Sequence, residues 1–316
     1  MAGRIIEAID SGQGVEAFRP NDVLHYRDWI EVDSAISRVN RMRLIGNADL
    51  INAGLVMRLE NAMGTTVVEY NVGGDLTNAQ TDMSAETAPE EDRLGIGLGK
   101  VAVPITHKGF RYNARALASS RRNGMPLDTD TAELATQRVN EQLENILFNG
   151  SLIQESDAFV YGYRTAPNRI TSGTFSNGIW GAGVATGADA LKDVLAWLKL
   201  LRNKRFYGPF WLYMSADMET FLDDEFKAAS DLSIRERLMK IDAITHFATA
   251  DALPNGSVIL VQATANVVKL VFGFLPTAIQ WEELGGMRQR FLVMAIMVPL
   301  IKSDSANNCG IVHVGA

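Results

Sequence analysis

The sequence predicts a mixed α+β chain, and three observations carry the prediction. A long helical signal covers about 130–148 and stops at Asn149-Gly150. A β-branched run, TTVVEYNV at 65–72, precedes it, and apolar runs rich in valine and isoleucine fill much of 258–301. Strands therefore stand on both sides of the helix in sequence, and the late ones must return to it to bury their apolar faces.

Composition bounds the function. The chain has 316 residues, enough for one large domain or two ordinary ones. It is 47% hydrophobic and 21% charged, a globular balance. The net charge of −7 argues against a coat on duplex DNA, which needs a basic face to displace counterions. It leaves open a shell whose inner wall merely faces DNA. Cys309 is the single cysteine, so an internal disulfide and a Cys-based zinc site are excluded. The start, MAGRIIEAIDSGQG, lacks an apolar core with a cleavage site, and secretion is not expected. The longest apolar run, 291–301, contains Pro299 and falls short of the roughly 20 apolar residues of a membrane span. It reads as a buried strand.

The elements follow in order. Residues 1–58 read as an extended arm with one or two helices. Phe18-Arg19-Pro20-Asn21-Asp22 marks a turn, and Ile30, Val32, Ile36 and Val39 fall near helical spacing. The first 99 residues contain arginine but no lysine, a composition that suits bidentate contacts between packed chains or is an accident. Residues 65–72 and 100–112 read as two strands. A long polar, acidic stretch with Asp75, Asp82, Glu86, Glu90, Glu91 and Asp92 joins them. Connections beyond about 12–15 residues are usually functional or disordered, so this reads as a projecting hairpin that contacts a neighbour.

The helix at 130–148 is the most regular signal. Asp130 and Glu133 have capping-box spacing. Ala132, Ala135, Val139, Leu143, Ile146 and Leu147 make one apolar stripe, and Asn149-Gly150 supplies a left-handed stop. Residues 151–187 are turn-rich, with 177–183 (NGIWGAG) read as a crossing between domains. A second helix is expected at 188–205 with Leu191, Val194, Leu195, Leu198 and Leu201 inward. A strand at 210–214, a helix from Ser215 to Leu222, paired strands at 258–264 and 267–275, a long strand at 290–301 and a terminal strand at 310–314 complete the chain.

Candidate chemical sites are weak. Gly95-x-Gly97-x-Gly99-Lys100 lacks the longer spacing of a phosphate loop and has Val101 where Ser or Thr is needed, so a hinge at the hairpin base is the better reading. His25, His107, His246 and His313 are scattered without an i, i+4 pair, and no metal site is expected. Cys309 reads as a small buried hydrophobe. Asp223-Asp224-Glu225 reads as a solvated helix end rather than a cation site. Lys199, Arg202, Lys204 and Arg205 either complement a helix dipole or make a contact with another domain or nucleic acid. No catalytic residue and no cofactor are expected.

The run FRYNARALASSRRNGMPLDTDTAELATQRVNEQLENILFNGS, from Phe110 to Ser151, resembles a pattern of tailed-phage major capsid proteins and encapsulins. In that pattern a basic segment, a G-x-P-L-D turn and a helix lead to FxG. Tyr161-Gly162-Tyr163-Arg164-Thr165-Ala166-Pro167 resembles the turn that follows. The order of elements along the whole chain is similar to the Hong Kong 97-like fold. The resemblance implies an N-terminal arm at 1–58 and an extended hairpin loop at 59–108. It implies a peripheral domain at 109–186 with 281–316, carrying the long spine helix, and an axial domain at 187–280. It also implies self-assembly through pentamers and hexamers into an icosahedral shell around phage double-stranded DNA, without sequence-specific contact. Portal, scaffold or decoration proteins are further partners of such shells, and the location implied is the virion capsid, assembled in the host cytoplasm. An encapsulin-type compartment around a cargo protein is the alternative. No membrane contact is implied.

The type member of the fold cross-links subunits through a hairpin lysine and a neighbour's asparagine. The tip at 72–94 has no lysine, so no such bond is expected, although Asn307 and Asn308 are present. Instead the acidic tip residues Glu86, Glu90, Glu91 and Asp92 are expected to pair across subunits with Arg111, Arg115, Arg121 and Arg122, which flank the spine.

Overall fold

The computed structural model describes residues 45–73, 81, 83, 96–113, 115, 130–227, 232–285, 287–304 and 306–315. The order is α1 (Gly46–Asn52), β1 (Val56–Arg58), β2 (Val67–Gly73), β3 (Ile96–Ala102), β4 (Thr106–Asn113), α2 (Asp130–Asn149), β5 (Ser151–Glu155), β6 (Ala158–Val160) and α3 (Gly187–Asn203). Then come β7 (Phe210–Met214), a 3₁₀ turn (Ala216–Met218), α4 (Glu219–Leu222), α5 (Ile234–Met239), β8 (Ile244–Thr249) and β9 (Val258–Gln262). β10 (Val268–Glu283), β11 (Arg288–Ile301) and β12 (Ile311–Val314) end the chain. The expected arm helix near 30–39 and most of the hairpin tip lie outside the described residues.

Two four-stranded sheets organise these elements, in the orders β1-β10-β11-β4 and β12-β9-β7-β8. β2-β3 and β5-β6 are separate two-stranded hairpins. α2, a rod of about 30 Å at 1.5 Å per residue, buries its whole expected stripe: Ala132, Ala135, Val139, Leu143, Ile146 and Leu147. Most of that stripe packs with Val268, Leu270, Val293, Ala295 and Met297 of the first sheet.

β7 is buried at every position because its two faces serve different cores. Side chains alternate along a strand. Trp211 and Tyr213 join the α2 core, while Phe210, Leu212 and Met214 join α3. The α3 face is aromatic: Trp180 stacks on Trp197 with centroids 5.2 Å apart. Trp180 Nε1 donates to buried Asp193 at 3.0 Å. The tract 177–183 thus packs on α3 through Trp180.

Several expectations need correction. The strand expected at 100–112 is two strands. β3 pairs with β2 and β4 pairs with β11; between them Pro104 cannot donate to a ladder. The runs at 258–264 and 267–275 are not partners. β9 pairs with β7 and β12, β10 with β11 and β1. The chain changes sheet at a tight turn where the Val267 N–H donates to Thr264 O at 2.9 Å. α3 begins at Gly187 under a capping box from Thr186 and Asp189, and Leu195 is 49% exposed while Trp197 takes the inward place. Ser215 opens only a 3₁₀ turn and one short helix, and its hydroxyl caps nothing. β10 runs through residue 280 within the first sheet, and β12 lies in the second.

Candidate intersubunit surface

The base of the expected hairpin is a paired ladder. β2 and β3 pair in register from Val67↔Ala102 to Gly73↔Ile96. Val68, Val101 and Ala102 are buried against Val298 and Leu300 of β11. Glu69 and Lys100 form an ion pair at 3.3 Å, and Lys302 Nζ lies 5.8 Å from the Tyr70 ring centre. The glycine-spaced segment is therefore strand, not hinge. Gly99 faces Tyr70 so closely that a Cβ would strike the ring.

Of the residues expected to pair across subunits, Arg111 and Arg115 are described and both are exposed. Glu86, Glu90, Glu91, Asp92, Arg121 and Arg122 lie outside the described residues. Arg111 sits on β4, opposite Arg290 of β11. Arg290 lies 2.8 Å from Glu283 of its own chain. β4 forms one edge of the first sheet, and its exposed Lys108 and Arg111 put charge along that edge. The Arg115 backbone N–H donates to Asn113 Oδ1 at 2.9 Å.

Just beyond the spine, β5 and β6 expose Leu152, Ile153 and Phe159, and neighbouring β3 exposes Leu98. Leu152 is fully exposed and Leu98 66% exposed. Exposed apolar side chains on neighbouring strands are candidates for contact sites, and the sequence alone did not single out these residues.

The motif that carried the resemblance is a joint. Gly150 takes φ +77° at the end of α2. The Tyr163 and Arg164 N–H groups donate to Leu147 O and Phe148 O at 2.9 and 2.8 Å. A Cβ on Gly162 would sit 2.7 Å from the Phe148 carbonyl and closer still to Gly150 N. Asn149 Nδ2 reaches Ala252 O at 2.7 Å and ties the spine to the loop after β8.

A second joint went unseen in the sequence. Glu144, on the buried side of α2, accepts from Gly46 N, Asn47 N and Asn47 Nδ2 at 3.1, 3.1 and 3.0 Å. It thus caps α1 from a distant helix. Burial pushes its carboxyl up to about 7 against the pull of those donors. Beside it, Tyr213 donates to Asp49 at 2.9 Å. His246 Nε2 lies 2.8 Å from the same carboxylate without hydrogen-bonding alignment.

The remaining candidates resolve simply. Cys309 is wholly buried, and burial pushes its thiol up to about 12, far from a reactive thiolate. Asp223 and Glu219 share Arg235 at 3.1 and 3.4 Å. Lys199, Arg202, Lys204 and Arg205 are exposed around the end of α3. Asn308 is engaged within its own loop, donating to Asp304 through N and Nδ2 at 2.6 and 3.1 Å. His107, His246 and His313 lie on three different strands, and no group of three or more metal-ligating side chains occurs among the described residues. No described helix is long and apolar enough to cross a membrane.

Comparison with known proteins is consistent with this geometry. Residues 20–314 match a family of unknown function, DUF6260. No curated protein matches the chain. Solved structures match over most of its length. A virus-like particle from Pyrococcus furiosus aligns at TM-score 0.64 and 17% identity, covering 92% of this chain and 99% of that one. The capsid of Myoviridae phage XM1 aligns at 0.62 and 10% identity, covering 83% and 89%. A structure from Mycobacterium phage Bobi aligns at 0.57 and 14%, covering 80% and 87%. At these identities the likeness speaks for the fold: the chain has the Hong Kong 97-like capsid fold.

Proposed function

The chain belongs to DUF6260, a family of unknown function, and from its capsid fold we propose that it is a shell-forming structural protein, the major capsid protein of a tailed phage. It assembles through pentamers and hexamers into an icosahedral shell around double-stranded DNA, and it performs no catalysis. Portal, scaffold and decoration proteins are partners of the same reading, and the host cytoplasm is its place of assembly. The division into an arm at 1–58, a hairpin loop at 59–108, a peripheral domain at 109–186 with 281–316 and an axial domain at 187–280 belongs to it too.

The observation that carries the proposal is the match of 83% of the chain to the capsid of phage XM1. The firmly based hairpin and the exposed apolar strip beside the spine support it, because both are surfaces a neighbouring copy would cover. Negative-stain images of the expressed protein test it: closed shells are expected, and a uniformly monomeric protein would exclude it. A second reading, a compartment around a protein cargo, is favoured by the match to the Pyrococcus virus-like particle, which spans 99% of that chain. Contents separate the two: DNA in the shells favours the phage reading, a packed enzyme the compartment.

Within the shell, Glu86, Glu90, Glu91 and Asp92 of one copy pair with Arg111, Arg115, Arg121 and Arg122 of the next. Opposite charge supports this, at about 0–1 kcal/mol per exposed pair, repeated around the shell by symmetry. Changing all four acids to lysine should stop assembly while the monomer's unfolding midpoint stays put. Normal shells from that variant would refute the pairing.

A further inference from the structure

The outer face of α3 is basic. Ala190, Val194, Trp197, Leu198 and Leu201 fill its inward face. That leaves Lys192, Lys199 and Arg202 together on the exposed side, at i, i+7 and i+10. The row is about 15 Å long at 1.5 Å per residue. Lys204 and Arg205, both exposed, continue it past the helix end. The two acids of α3 are engaged elsewhere: Asp189 closes the N-terminal capping box, and buried Asp193 accepts from Trp180 Nε1 and Ser176 N. Between 194 and 216 the chain carries Lys199, Arg202, Lys204 and Arg205 and no acid.

Helix-end electrostatics does not account for the row. The dipole favours cations in the last turn only, and within α3 that turn holds Arg202. The close of the helix points the same way. Phe206 N–H donates to Leu201 O at 3.1 Å and Arg205 N–H to Arg202 O at 2.9 Å, the paired bonds of a Schellman end. The left-handed position of that end, which suits glycine, is held by Arg205 at φ +65°. A cation is thus kept where the backbone favours a residue without a side chain. Tyr207, two positions on, is 70% exposed. Phe210 N–H donates to Ala243 O at 2.9 Å and brings the loop after α5 alongside, with exposed Lys240 and one acid, Asp242. Lys199, Arg202, Lys204 and Arg205 make no ion pair among the described residues.

We propose that this row is a docking surface for the phosphate backbone of duplex DNA, with Lys199, Arg202, Lys204 and Arg205 on the phosphates and the Tyr207 hydroxyl as a further donor. The inference rests on the capsid reading, which supplies DNA as a neighbour. Charge complementarity selects the partner: duplex DNA presents a charge about every 1.7 Å of its length, a density suited to a row of closely spaced cations. The contact is local, so it is compatible with a net charge of −7 over the chain. It is also indifferent to base sequence, because phosphate contacts carry none.

Fluorescence anisotropy of the full chain with a short labelled duplex, present before shells close, tests this across a salt series. Each phosphate contact adds about 0.9 to the slope of log affinity against log salt. K199Q/R202Q should therefore lower the slope by about 2 and weaken binding about tenfold or more at low salt. R58Q/R288Q removes the same charge from exposed positions on β1 and β11 and should leave the slope unchanged. All four side chains are exposed, so the urea midpoint should hold in both variants. Electron micrographs keep the two readings apart: wild-type protein that closes into shells yet binds no duplex overturns this proposal and leaves the capsid reading standing. An unchanged slope in K199Q/R202Q, or an equal fall in both variants, would overturn it too. So would K199Q/R202Q protein that binds DNA normally but no longer forms shells, which would make the row a contact between copies.

Discussion

The two sheets bury their faces differently. The second, β12-β9-β7-β8, is closed around apolar contacts: five consecutive buried residues in β7, the Trp180–Trp197 stack, and a capped α3 laid across one face. The first, β1-β10-β11-β4, is long, carries the hairpin base, ends in a charged edge strand, and holds polar groups in its interior. Gln280 donates to Gln289 at 2.6 Å where both are buried, and Glu144 holds α1 beside this sheet. A region sealed by apolar packing has little left to offer a neighbour. One with an edge strand, exposed Leu98 and Leu152 and the base of a hairpin has surface to lend. Damage in the second sheet should unfold the chain, whereas damage at the margins of the first should spare the monomer and impair association.

The most severe test lies where the two regions meet. Gly162→Ala puts a methyl group among backbone atoms of Phe148 and Gly150 that cannot move without breaking the end of α2. Loss of soluble folded protein is expected, or a destabilisation above about 4 kcal/mol, measured by urea unfolding. Trp197→Ala should cost about 3–5 kcal/mol by the same measurement, as truncation of a buried aromatic does. A loss below about 1 kcal/mol would contradict the closed second sheet.

Glu144 gives a test with a sign. Its carboxyl is raised in the fold from 4.5 to about 7. Its contribution to stability is therefore fully present below pH 4.5 and is lost as pH rises through 7, on the order of 3 kcal/mol at most. His313, held down at about 4 from 6.5, works the other way: its contribution is present above pH 6.5 and is lost as pH falls through 4. The wild-type curve mixes the two, so the difference between Glu144→Gln and wild type is the useful quantity. Unfolding at pH 5 and pH 8 should show the glutamine variant gaining on wild type as pH rises. A constant difference would remove Glu144 from the account.

The smallest expected effect on the monomer is at the charged edge. Arg111→Glu should change unfolding by less than about 1 kcal/mol, since the side chain is exposed, yet reduce the yield of assembled particles in light scattering. Unfolding of the monomer instead would make β4 a structural edge rather than a contact.

Legibility followed the range of the interactions. The stripe from Ala132 to Leu147 and the stop at Gly150 were readable because helical period and left-handed glycine are local properties. The apolar runs of β9, β10 and β11 announced buried strands but not their partners. Periodicity says that a strand is buried without saying against what, so β9 and β10 read as a pair although they lie in different sheets. The proposed intersubunit residues were half legible: charge sign can be read off a sequence, but Leu98, Leu152, Ile153 and Phe159 look like ordinary strand residues until the structure shows them exposed.

By itself, then, the sequence determined an α+β chain with a spine helix that stops at Gly150, a tight turn after it and a strand at 67–73, because each depends on neighbours within a few residues. Only the tertiary structure decided which strands share a sheet, that Glu144 caps a helix 98 residues away, and that His313 meets Arg164 and Arg169 around one cavity. Those outcomes depend on how the chain closes on itself, and no local spacing records which distant groups will be buried together.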